Sequence, residues 1–475
     1  MAKSKSIHDR GQTVKMKESN INPHIIFWSG ASTVTGANFE FSAGGKRILV
    51  DCGLLQGVQF ADKRNAEPFP YNPADIDYLF VTHAHIDHIG RVPKLVKDGF
   101  KGKITSTEAT LKIAKFMFED ALSIMRYENK NGENLLYEED DVSKALSVWQ
   151  TIEYGKPLQL SHDLAVTAKD AGHILGSAMY EFEYGNGRKI KAVFTGDLGN
   201  SPAPLLPNTE IISDADYVVM ESVYGDRNHE GSGERKNKLL QAVTRTIKKK
   251  GTLLIPSFSL EKTQVLLYEI NEMVENGKVG DVAVFLDSPL AIKITGVYSE
   301  MSHHFKGEVR KEVEGGDDIF EFPGLKMTPR VRQSQDIANA KGPKIIIAGS
   351  GMSAGGRILR HEEIYLGDEN ATILFVGYQS PGSLGREIQD GARSVQIGNK
   401  KVFVKAKVET ISGYSSHKDS DGLLNFVENT AGSLKKTFVV MGEPKAAFFL
   451  VQKLRDYLGV EAVHPSDGEK VELEF

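Results

Sequence analysis

Seven consecutive residues, Thr82-His83-Ala84-His85-Ile86-Asp87-His88, hold three imidazoles and one carboxylate. They follow Tyr78-Leu79-Phe80-Val81, a short apolar run that reads as a buried strand. Open α/β sheets place their chemistry in loops at the C-terminal ends of such strands. His83 and His85 can point into one site, while Asp87 and His88, opening a following helix, can face a second. Neutral imidazole together with carboxylate is a ligand set that suits zinc. Solvated or packing histidines are the ordinary alternative, and four ligand-type side chains so closely spaced make it the poorer one.

Four further positions at or after strand ends carry acids or bases. His173 lies in the glycine-flanked turn Asp170-Ala171-Gly172-His173-Ile174-Leu175-Gly176, and Asp197 ends the run Ala192-Val193-Phe194-Thr195-Gly196. Alone, each reads as a turn residue. Beside the His-rich loop they complete a binuclear set, one more imidazole for the first metal and a carboxylate able to bridge both. Glu221 ends Tyr217-Val218-Val219-Met220, and Asp51 ends Arg47-Ile48-Leu49-Val50. Asp51 can be a ligand, a turn former or a carboxylate behind the ligands. The last reading is favoured, because ligand-bearing loops need such a group to fix imidazole tautomers.

The elements around these residues define a large two-lobed chain. At 475 residues it exceeds what one hydrophobic core usually serves. Its 40% hydrophobic and 25% charged content is that of a soluble globular protein. No apolar run is long enough to span a bilayer and no signal-peptide core opens the chain, so a membrane role is not expected. Cys52 is the only cysteine, which excludes an intrachain disulfide and favours the cytoplasm. A net charge of −5 gives no global attraction to nucleic acid, so a partner of that kind requires a local basic groove.

Residues 1–22 are polar, lysine-bearing and without apolar periodicity, a flexible tail. An antiparallel meander follows from Ile25, then a mainly helical stretch from Gly90 to Trp149, in which Glu138-Glu139-Asp140-Asp141 reads as a solvated helix start. From about Tyr224 the rhythm changes. Apolar runs at 253–255, 282–286, 345–348 and 372–376 alternate with helical stretches, which implies a parallel, Rossmann-like sheet. No G-x-G-x-x-G follows its first strand, which argues against a dinucleotide. The loop Gly349-Ser350-Gly351 to Arg357 is glycine-rich and opens a helix, a geometry able to hold phosphate. After Val402 the earlier style returns, with His417 in the turn Tyr414-Ser415-Ser416-His417-Lys418-Asp419.

Taken in order, Asp51, the Thr82-to-His88 loop, His173 and Asp197 resemble the motifs of the metallo-β-lactamase fold. Glu221-Ser222-Val223-Tyr224-Gly225-Asp226-Arg227-Asn228-His229 resembles the first signature of its β-CASP nuclease branch, and Tyr414 to Asp419 the second. The resemblance implies an α/β protein, a metallo-β-lactamase αββα sandwich with an inserted Rossmann-like β-CASP domain. The implied boundaries are 23–222 and 400–475 for the sandwich and 223–399 for the insert. It also implies a zinc-dependent ribonuclease, endonucleolytic or 5′-exonucleolytic, that takes single-stranded RNA in the cleft between lobes. By position, His83, His85 and His173 would hold one zinc, Asp87 and His88 the other, and Asp197 would bridge. Asp87, Glu221 and His417 would act at the scissile phosphate. Lys262, Ser350, Arg357, Ser383 and Arg386 would meet the RNA, and relatives of this kind often form homodimers.

Two positions depart from the family. Its last strand ends in His-Gly-Glu, the histidine completing the second zinc site, whereas here Met441 precedes Gly442 and Glu443. A thioether is a soft, uncharged ligand and a poor substitute for imidazole, so two zincs are expected from the family and one is compatible with this chain. Glu261-Lys262 stands where relatives usually show Gly-Arg, and lysine offers a point charge in place of a bidentate fork. Met441 also motivates a rival from another class, an RNA-binding or complex-forming homologue with impaired catalysis. His464, before Pro465, reads as a surface-turn residue and not as a replacement ligand.

Overall fold

The structure, a computed structural model, describes residues 22–57, 60–128, 135–187, 189–380 and 382–474. The expected tail lies outside them apart from Asn22. Two seven-stranded sheets form the first lobe. One begins with Lys470–Glu472, His24–Ser29, Asn38–Ala43 and Lys46–Val50, an antiparallel run, and continues in parallel through Tyr78–Phe80, Lys103–Ser106 and Trp149–Thr151. The other runs Ala462–Val463, Lys436–Val440, Tyr217–Glu221, Ile190–Phe194, Ala178–Tyr184, Leu164–Asp170 and Leu158–Gln159. The strand Lys103–Ser106 falls inside the stretch read as mainly helical, between the helices Val92–Lys97 and Glu108–Glu128. Four residues hidden between two strong helical patterns carry too little periodicity to stand out.

The sheets stack face to face over an aromatic core. Phe27, Phe39, Phe41, Phe80, Phe182, Phe194 and Phe438 interdigitate there, with Phe80 and Phe182 edge to face at 5.4 Å. Each fully buried phenylalanine contributes about 1.5–3 kcal/mol of apolar transfer. Helices cover both outer faces. Leu423, Phe426, Leu450 and Leu454 pack behind the second sheet, and Ile89, Leu95, Ile113 and Phe118 pack behind the first. This is the expected αββα sandwich, with the C-terminal ends of its parallel strands along one edge. The acidic run behaves as expected too: Glu138 and Asp141 form a capping box at the start of the helix Glu139–Ser147.

The third sheet is wholly parallel, in the order Leu325–Met327, Ala283–Asp287, Lys344–Ala348, Thr252–Pro256, Thr372–Phe375 and Lys407–Thr410. Its four inner strands are the four apolar runs of the sequence. The two outer ones are short and half polar, as edge strands often are, and carry no apolar run. The boundary expected after residue 399 falls in the turn of the hairpin Ser394–Ile397 and Lys400–Phe403, and the sheet continues to Thr410. The lobes meet along the helices Glu108–Glu128 and Pro289–Glu300, where Lys293 pairs with Glu119 at 2.8 Å and Lys112 with Glu300 at 2.7 Å. No helix among the described residues is long and apolar enough to cross a membrane.

Candidate metal centre

Loops at the edge where the parallel strands end bring distant side chains together. His83 Nε2 lies 3.1 Å from His85 Nδ1, and His173 Nε2 lies 3.3 Å from the same atom. Asp197 Oδ2 stands 3.4 Å from His83 Nε2 and 3.5 Å from His173 Nε2. Four ligand atoms about 2.0–2.1 Å from a tetrahedral zinc would be separated by roughly 3.3–3.4 Å, so the spacing fits that ion. Burial, then the neighbouring imidazoles, hold His85 and His173 well below the usual histidine range, in the neutral form that a metal requires. Burial opposes the charge on Asp197, but His88, His83 and His417 overcome it and keep the carboxyl well below its usual range.

A second group adjoins the first. His88 Nε2 faces Asp197 Oδ1 at 3.3 Å and Asp87 Oδ2 at 3.9 Å. Both His88 Nε2 and Asp197 Oδ1 are buried and lack a hydrogen bond. Unpaired buried polar atoms are costly, and a cation between these two would satisfy both.

Hydrogen bonds behind the cluster fix three tautomers. Asp51 Oδ2 accepts from the Thr82 hydroxyl at 2.8 Å and from His88 Nδ1 at 2.7 Å, while Oδ1 accepts from the Thr82 amide at 2.8 Å. With its proton given to Asp51, the Thr82 oxygen accepts from His83 Nδ1 at 3.0 Å. His173 Nδ1 donates to the Ser416 carbonyl at 3.1 Å. Each Nε2 is thereby turned into the cluster. Asp51 reaches this position through a left-handed backbone, φ +62°, which Asp tolerates better than most residues. From there its carboxylate holds Thr82 and His88 from behind the loop.

Beside the imidazoles, Glu221 and His417 form a pair. His417 Nδ1 lies 3.1 Å from Glu221 Oε1 and 3.8 Å from Asp197 Oδ2, and Oε1 also accepts from the Leu198 amide at 2.7 Å. Burial disfavours the imidazolium, yet Glu221 and Asp197 outweigh it and raise the His417 pKa. The ring is 22% exposed, which leaves Nε2 for the open side.

Profiles of three domain types match the chain: the metallo-beta-lactamase superfamily over residues 39–168, the Beta-Casp domain over 263–388, and the Zn-dependent metallo-hydrolase RNA specificity domain over 401–465. Ribonuclease TTHA0252 of Thermus thermophilus is 36% identical over 404 residues, which cover 85% of this chain and 90% of that protein. The chain belongs to the β-CASP ribonuclease family. Transcription termination factor FttA of Methanosarcina mazei, 28% identical, aligns over 94% of this chain and 70% of its own length. A crystal structure of a protein of unknown function from Enterococcus faecalis V583 shares the fold, with a TM-score of 0.51 at 11% identity, 95% of this chain and all of that one being covered.

Met441, the position expected to depart from the family pattern, is buried beside the imidazole cluster. It is 2% exposed, its backbone is left-handed at φ +48°, and its amide donates to the Gly30 carbonyl at 2.9 Å. Its Sδ crowds Gly30 so closely that a Cβ there would lie 2.8 Å away. With Phe39, Val50, Val219 and Val440 it makes the apolar wall of a cavity of about 10 Å³ that His88 and Asp51 also line. The second group thus offers Asp87, His88 and Asp197, with the Met441 thioether lining the same cavity as His88. His464 is half-buried and tied elsewhere, its Nδ1 2.8 Å from the Val439 carbonyl and its ring against Phe448, and so is no loose surface turn.

The residues expected to meet RNA divide. Lys262 faces a cavity of about 30 Å³ between the lobes, lined also by His173, Asn200, Arg235 and Ser416. It has no ion-pair partner among the described residues, rests over the Phe258 ring at 4.5 Å, and is brought down to about 8 by burial. Arg357 is engaged elsewhere, by Asp287 at 2.7 Å and by the Thr328 and Pro329 carbonyls. Ser350 accepts from the Ala354 amide, Ser383 caps the helix Leu384–Gln389, and Arg386 pairs with Asp390 at 2.8 Å. Sequence reasoning missed Thr82, although its hydroxyl directly precedes His83. It also assigned nothing to His229, whose Nε2 lies 3.0 Å from the His417 carbonyl and steadies that turn.

Proposed function

We propose that this chain is a zinc-dependent ribonuclease that hydrolyses phosphodiester bonds of single-stranded RNA held between its lobes. The observation that carries the reading is the convergence of His83, His85, His173 and Asp197 beside the Glu221–His417 pair. Zinc held by the first four residues supplies Lewis-acid chemistry toward a phosphodiester and lowers the pKa of water. His417, kept protonated by Glu221 and presenting Nε2 to the open side, gives its proton to the departing 3′-oxygen. Glu221 then steadies the imidazole while it recovers a proton. Lys262 brings an uncommitted positive charge to the phosphate backbone. Asp87, His88 and Asp197 would hold a second zinc less tightly than the first, because Met441 offers no nitrogen. A cytoplasmic setting suits Cys52, which is buried, with its thiol pushed up to about 12 by desolvation.

Met441 favours a second reading, an RNA-binding homologue that does not cleave. Incubation of labelled single-stranded RNA with zinc and either the natural chain or a His83→Ala, His85→Ala variant separates the two. Cleavage by the first protein only is expected. Equal background from both, with RNA still bound, would establish the silent binder.

A further inference from the structure

Glu261 adopts a backbone conformation that side chains avoid. It precedes the helix Lys262–Glu275 with φ +63° and ψ −59°, where glycine would sit without strain. It is also 4% exposed, and burial pushes its carboxyl up to about 7. A strained, buried glutamate persists only where its surroundings hold it.

Those surroundings belong to both lobes. Tyr298, fully buried on the helix Pro289–Glu300, donates its hydroxyl to Glu261 Oε2 at 2.5 Å. The same hydroxyl accepts from the Leu175 amide at 3.2 Å, so Glu261 reaches that amide through Tyr298. Leu175 is two residues from His173. Other amides of that turn are met close to home: Gly172 by Asp170, His173 and Ile174 by the Ser177 hydroxyl, Ser177 by the Ile174 carbonyl. Leu175 is met from the inserted lobe instead. A buried amide left unpaired would cost stability or shift the turn, so this bond constrains where His173 lies.

We infer that Glu261 is a positioning residue: acting with Tyr298 on the Leu175 amide, it makes the docking of the inserted lobe set the place of His173 in the imidazole cluster. The inference rests on reading His173 as a metal ligand. It gives the strained glutamate a role that a glycine at the same place could not fill.

Zinc affinity by chelator competition, and amide exchange over residues 174–177 of the full-length chain, test this without RNA. Glu261→Gly and Tyr298→Phe are expected to weaken zinc binding about tenfold, the lower end for residues that orient ligands, and to speed exchange in the turn. Glu261→Gln keeps an acceptor for the tyrosine and is expected to restore both. Cobalt substituted for zinc should show altered visible bands in the two impaired variants and the natural spectrum in the glutamine variant. Natural zinc affinity and exchange in Glu261→Gly would overturn the inference. If that variant does not fold, natural behaviour of Tyr298→Phe would do the same. A chain that binds zinc in this pattern yet cuts no RNA would sink the ribonuclease reading and leave this one standing.

Discussion

Glu221 and His417 are 196 residues apart in the chain, and their side chains meet at 3.1 Å from Oε1 to Nδ1. The carboxylate raises the imidazole pKa, so its removal lowers that pKa, and the proton on His417 is then lost at lower pH. Glu221→Gln should therefore shift the alkaline limb of the single-turnover cleavage profile toward acid. At neutral pH the rate should fall by about 10²-fold or more, the usual worth of a positioned proton donor. A profile displaced toward alkali, or an unchanged rate, would remove the pair from the chemistry.

Lys262 supplies a different pH signature. Burial favours its neutral amine, so the folded chain releases this proton near pH 8, well below the ordinary lysine value of 10.5. Positive charge facing the cleft is present below pH 8 and lost above it. The KM for RNA should climb as pH rises through about 8. Lys262→Arg, whose guanidinium stays charged, should flatten that climb. Stopped-time assays from pH 6.5 to 9.5 check both.

Asp51 ties Thr82 and His88 together from behind. Asp51→Ala should weaken zinc binding by about 10–100-fold, the range for groups that orient ligands. It leaves the buried Thr82 amide unpaired and should also cost roughly 1–3 kcal/mol of stability. Chelator competition and urea unfolding, run on the same preparation, separate the two effects.

Met441→His is the informative reversal. Histidine is among the residues that accept positive φ most readily, so the backbone at +48° is no obstacle. Bound zinc per chain, by elemental analysis or anomalous scattering at the zinc edge, should rise, and cleavage with it. No gain in either would mean that Phe39, Val50 and Val440 have closed the space around the thioether.

Much of this was legible before any coordinates. The His-rich loop announces itself because its imidazoles and carboxylate lie so close in the chain, His173 because it sits in a glycine-flanked turn, and Asp197 and Glu221 because each ends an apolar run. The four inner strands of the third sheet are equally plain, being continuous runs buried on both faces. What escaped notice depends on distance. Nothing in Arg357 or its neighbours shows that its guanidinium is held by Asp287, 70 positions earlier. Tyr298 looks like any aromatic in a helix until Leu175 comes beside it. Lys407–Thr410 has one apolar residue, and only a neighbouring strand makes it part of a sheet.

The second sheet carries one more consequence. Ser222 Oγ donates to the Val440 carbonyl 218 positions further on, across the join between Tyr217–Glu221 and Lys436–Val440. Loop closure over such a span is entropically demanding, and contacts this remote in sequence slow folding. A chain still emerging from the ribosome cannot make this join until Lys436–Val440 is free, so the strand carrying Glu221 gains this neighbour late. A nascent copy thus holds its imidazole loop well before the Glu221–His417 pair can exist.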